Sequence, residues 1–121
     1  MKIRSGFVSN SSSSSFVITK VALNNFQVEA IKNHISVIEY MNTGNENVIS
    51  YYLKSWLDEN IMNNPDKMQH FFEIRYADSD DAWYVYENFA TVEGNCLINN
   101  FSMFDFLKMI GVDDKYINWE Y

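Results

Sequence analysis

A chain of 121 residues with 47% hydrophobic and 17% aromatic side chains has enough apolar surface for one folded core without disulfides or structural metals, and too much for a disordered segment. Its one cysteine, Cys96, excludes an internal disulfide framework, the short apolar runs exclude a membrane-spanning helix, and the lack of a signal-peptide pattern leaves a reducing cytoplasm as the expected location. The net charge of −7 is unevenly spread: residues 1–24 hold Lys2, Arg4 and Lys20 and no acid, so the body is more acidic than the total and repels nucleic acid.

The chain opens with RSGFVSNSSSSSFVI, in which the serines Ser11, Ser12, Ser13, Ser14 and Ser15 separate Phe7-Val8 from Phe16-Val17-Ile18. Residues 1–15 are read as a serine-rich leader docked on the domain or on a partner, and residues 16–121 as a single α+β domain. A β-strand is expected over 16–21, where β-branched residues lie between serine and asparagine. Asn24 followed by Gln27 makes a capping box, and Ile31, His34, Ile35, Ile38 and Met41 recur on one face, which predicts a helix stopped by Thr43-Gly44-Asn45. A second helix is expected over about residues 47–62, with Ile49, Tyr52, Leu53 and Trp56 on its buried stripe and Pro65 beyond its end.

From Gln69 the period becomes alternating. Phe72, Ile74 and Tyr76 share one face of a strand, Ala82 to Glu87 alternate likewise, and Ala77 to Asp81 carry turn chemistry between them. A third strand over about residues 91–98 completes an antiparallel meander. Ser102 and Asp105 then cap a last helix with Met103, Phe106, Leu107 and Ile110 on its stripe, and Gly111 ends it. The tail returns to the body to pack Ile117 and Trp119. The expected fold class is α+β: an antiparallel sheet of about four strands with two to three packed helices.

Both ends of the chain resemble a group of small uncharacterised proteins carried by tailed bacteriophages. The matching residues are Arg4, Gly6, Phe7, Ser9, Asn10, Ser11 to Ser15 and Phe16 at the front, then Asn100, Phe101, Met103, Phe106, Leu107, Ile110, Gly111 and Trp119 at the back. Ile98-Asn99 stands where the group often has methionine and aspartate. The resemblance implies a phage protein made in the cytoplasm of an infected bacterium; it implies no activity and no ligand, so function rests on the residues themselves.

Those residues assemble no catalytic set. A serine or cysteine nucleophile needs a base and an orienting group, and the histidines are His34 and His70 alone; Cys96 in a predicted strand is a small core filler, and His34 on an apolar stripe is a core histidine bonded to backbone. No pattern of metal-ligand spacing occurs. Asp78, Asp80 and Asp81 are spaced like calcium ligands but lack the glycine and distal glutamate of such loops, so they form a solvated hairpin tip. No cofactor, no metal and no enzymatic activity are expected.

The serine run has four readings. It adds as a strand to a partner's sheet edge with Phe7 and Phe16 filling pockets, it accepts phosphorylation or cleavage, it cradles a phosphate, or it packs on the domain with its hydroxyls satisfied in turns. Trp83, Tyr84 and Tyr86 cannot all point inward from one strand, and exposed aromatics among acids suit a protein partner better than nucleic acid. The expected function is a small non-enzymatic phage protein that binds and modulates a bacterial host protein, in host takeover or anti-defence. The predicted partner-binding residues are Phe7, Ser11 to Ser15, Phe16, Asp78, Asp80, Asp81, Trp83 and Tyr84. The alternatives are a virion or assembly component, for which a homo-oligomer is expected, and an acidic nucleic-acid mimic.

Overall fold

The computed structural model describes residues 13–64, 84–97 and 102–120. Within them, helices pack on an antiparallel sheet of four strands in the order β2-β3-β1-β4, an α+β fold. The strands are β1 (Ser13–Thr19), β2 (Tyr84–Glu87), β3 (Thr91–Leu97) and β4 (Ile117–Glu120). The first predicted strand of the meander, around Phe72 to Tyr76, lies outside the described residues, as do Pro65 and His70.

The sheet puts alternate residues of each strand on one face. Phe16 stands opposite Gly94 and Trp119, and Ile18 opposite Val92 and Ile117, so these side chains share the face that the helices cover. Phe16, Ile18 and Val92 are 0% exposed, and burying a side chain of Phe or Ile size contributes about 2 kcal/mol. The other face carries Ser15, Val17, Tyr84, Tyr86, Glu93 and Asn118.

Four α-helices supply the second layer among the described residues: α1 (Asn25–Lys32), α2 (His34–Thr43), α3 (Tyr51–Leu57) and α4 (Met103–Met109). The predicted caps form as read. The Gln27 N–H donates to Asn24 Oδ1 at 2.8 Å and the Asn24 N–H to Gln27 Oε1 at 2.9 Å, while Ser102 Oγ accepts from the Asp105 N–H at 3.4 Å. Gly44 and Gly111 follow their helices at φ 75° and 91°, the left-handed conformation that glycine adopts without a Cβ penalty.

Three expectations are corrected. The single helix predicted from Asn24 to Met41 breaks at Asn33, whose backbone leaves helical geometry at φ −115°, ψ 33°; its side-chain amide donates to the Glu29 carbonyl at 2.9 Å, a local competitor for the helical ladder. The first strand is shifted toward the leader, beginning at Ser13 and yielding at Lys20–Ala22 to a 3-10 turn. The tail does return to pack Ile117 and Trp119, and it does so as β4, paired with β1.

The third correction concerns the second helix. Ser50 caps α3, accepting from the Leu53 N–H at 3.2 Å, and the helix widens into a π-helical segment, Asp58–Met62. Its buried stripe is Leu53, Leu57 and Ile61. A step of about 100° per residue puts Tyr52 and Trp56 on the shoulder of that stripe, where Tyr52 is 48% exposed and Trp56 half-buried.

Candidate functional site

Of the residues singled out from sequence, Phe7, Ser11, Ser12, Asp78, Asp80, Asp81 and Trp83 lie outside the described residues. Ser13, Ser14 and Ser15 belong to β1, the strand flanked by β3 on one side and β4 on the other, and Ser15 Oγ donates to Asn95 Oδ1 at 3.1 Å. All three pair with β3, and Ser15 also with β4, so at Ser15 both backbone edges are taken and that residue is not free to extend a partner's sheet. Phe16 is corrected from a partner anchor to a core residue: it is fully buried and its ring meets that of Trp119 at 5.8 Å. Tyr84 is exposed, with its ring stacked on Tyr86 at 6.0 Å. The Tyr86 hydroxyl donates to Glu93 Oε1 at 2.9 Å, a bond that lowers the Glu93 carboxyl below its ordinary range together with the stronger one from Thr91.

Cys96 is buried on the core side of β3. His34 is buried too, its Nδ1 lying 2.9 Å from the Ile31 carbonyl oxygen and its ring edge-on to Phe106. Burial pushes the imidazole below its usual pKa, opposed by that backbone hydrogen bond. Among the described residues there is no group of three His, Cys, Asp or Glu side chains placed to hold a metal ion.

A concavity formed among the described residues was not singled out from the sequence. Phe26 of α1, Tyr51, Tyr52, Ser55 and Trp56 of α3, and Glu59 of the π-helical segment line an open groove of about 440 Å³. Phe26 is the common member of two stacked pairs, with Tyr52 at 4.5 Å and 14° between planes and with Trp56 at 5.7 Å and 8°. Helical spacing explains the arrangement on α3: Tyr52 and Trp56 are four apart, as are Tyr51, Ser55 and Glu59, so two neighbouring stripes face the groove.

The run YYLKSW carried the signal, since three aromatics within six positions cannot all lie on one buried stripe. Tyr51 and Tyr52 are consequently 81% and 48% exposed. Phe26 gave no signal, because its stacking partners lie on a separate helix.

The acids near this groove differ in how they are neutralised. Lys54 bonds Asp58 at 3.0 Å and Glu46 at 3.2 Å, and both bonds hold its ammonium above the ordinary lysine range. Asp58 also accepts from the Tyr40 hydroxyl at 2.6 Å, which with Lys54 draws its carboxyl below the usual value. Across the molecule, Glu87 joins Lys20 and Lys32, tying β2 to α1. Glu59 is exposed, and its side chain forms neither an ion pair nor a hydrogen bond among the described residues.

Comparison with protein-family models, with curated proteins and with solved structures gave no match.

Proposed function

We propose that this chain is a non-enzymatic protein-binding module and that, in keeping with its phage-like ends, it binds and modulates a protein of an infected bacterium. The observation that carries the reading is the open groove of stacked aromatic rings on an acidic body. Protein interfaces are enriched in tyrosine, tryptophan and phenylalanine, whereas single-stranded nucleic acid needs basic residues interleaved with its stacking platforms. The Tyr84–Tyr86 pair, beside Glu87 and Glu93, adds a second aromatic patch with acidic neighbours on the sheet.

Capture from a bacterial lysate with the tagged full chain, mass-spectrometric identification, and titration of the purified pair by calorimetry test this reading. A stoichiometric complex is expected, weakened about tenfold by Tyr52→Ala, because tyrosine is a frequent interface anchor. A captured protein whose affinity is indifferent to both Tyr52→Ala and Tyr84→Ala, or the absence of any stoichiometric complex, refutes it.

A further inference from the structure

Resting on that reading, we propose that the groove between α1 and α3 receives an arginine side chain from a basic segment of the partner. Three features converge on a planar cation. The first is the ring stack itself: guanidinium groups lie flat on aromatic faces, tryptophan and tyrosine most favourably, because the ring quadrupole is negative over its face. Tyr52 and Trp56 each stack on Phe26, and the guanidinium takes a remaining ring face in the groove that these three line with Tyr51, Ser55 and Glu59.

The second feature is Glu59. Lys54 occupies the neighbouring acids Asp58 and Glu46, but Glu59 has no cation partner among the described residues. It lines the same groove as Trp56, which offers its carboxylate to the N–H groups of a guanidinium resting on that ring. The third is the π-helical segment, Asp58–Met62, that holds Glu59. A π turn is costlier than a regular one and is commonly kept where it re-aims a side chain at a binding site. The net charge of −7 draws a basic segment toward the surface, and ring faces with one acid select arginine once it arrives. A lysine offers a compact ammonium that neither stacks flat nor binds a carboxylate bidentately.

The test uses the full chain and a short Gly-Ser peptide with one central arginine, beside counterparts carrying lysine or citrulline, followed by the indole N–H resonance of Trp56 and the amides of Phe26 and Tyr52. The arginine peptide is expected to shift these resonances saturably, the lysine peptide to bind more weakly, and the uncharged citrulline peptide to cause no saturable shift. Glu59→Gln, an isosteric change at an exposed position, is expected to weaken arginine binding about fivefold with an unchanged melting temperature.

Equal binding of arginine and citrulline, shifts spread over other acidic faces, or no effect of Glu59→Gln overturns the inference. Should arginine binding be absent while Tyr52→Ala still weakens the purified partner, the occupant is wrong and the protein-binding reading stands. Indifference of the purified partner to both tyrosines refutes that reading separately.

Discussion

Replacing Gly94 with alanine separates two reasons for keeping a glycine. Gly94 sits in β3 opposite Val85, and its φ lies outside the left-handed region, so its backbone conformation is open to alanine. A Cβ there would press on the Tyr84 carbonyl oxygen and stand 2.9 Å from Val85 Cα and 3.1 Å from Val85 Cγ2. The nearest of these atoms are backbone, so no side-chain rotation relieves the contact and β2 must move away from β3 as a unit. Overpacking of this kind costs about 1–3 kcal/mol, which for a domain of this size lowers Tm by roughly 4–12 °C. Amide exchange should accelerate first in Tyr84–Glu87, because that strand gives way while the β1–β4 pairing stays intact. Gly44 is the control. A Cβ at that position meets nothing within 4 Å, but φ is 75°, so Gly44→Ala should cost about 1 kcal/mol through backbone strain and leave β2 exchange unchanged. A Gly94→Ala variant with wild-type Tm and wild-type exchange in β2 would refute the close-approach account.

The remaining predictions concern a buried amide and a buried imidazole. Gln27→Ala removes the side-chain half of the α1 capping box and the bond from Gln27 Nε2 to the Ile110 carbonyl at 3.0 Å, leaving that buried acceptor unpaired; a loss of about 2 kcal/mol in urea unfolding is expected, and one no larger than that of an exposed-site alanine would refute the bridge between α1 and the end of α4. For His34, burial puts the folded pKa below the ordinary imidazole value of 6.5. The unfolded state therefore takes up a proton that the native state refuses. The stability associated with neutral His34 is complete above that value and declines as pH falls below it toward the folded pKa. Asp58, whose folded pKa is depressed below the ordinary carboxyl value of 3.8 by the Tyr40 hydroxyl and Lys54, contributes stability above that value that is lost only in stronger acid. Denaturant titrations from neutral pH to pH 5 should show the wild type losing stability and His34→Gln losing less; equal slopes would assign the effect elsewhere.

Features set by near neighbours are legible in the sequence. The caps at Asn24 and Ser102 and the stops at Gly44 and Gly111 depend on residues within a few positions of one another, and short-range hydrogen bonding and steric exclusion are written into such neighbourhoods. The misread stretches are those with competing signals of similar strength. At Asn33 an amide side chain outcompetes the helical ladder, and in α3 the aromatic and aliphatic stripes stand one helical step apart.

Sequence alone determined the kind of molecule: an acidic α+β chain with an aromatic surplus. Tertiary structure decided where that surplus went. Phe16, expected to reach a partner, is enclosed by Trp119 and the helical layer, and the groove exists only because α1 brings Phe26 against Tyr52 and Trp56 of α3. No period along the chain encodes that meeting, since it is set by how two helices settle on a shared core, and whether an aromatic ring is enclosed or exposed follows from its neighbours in space.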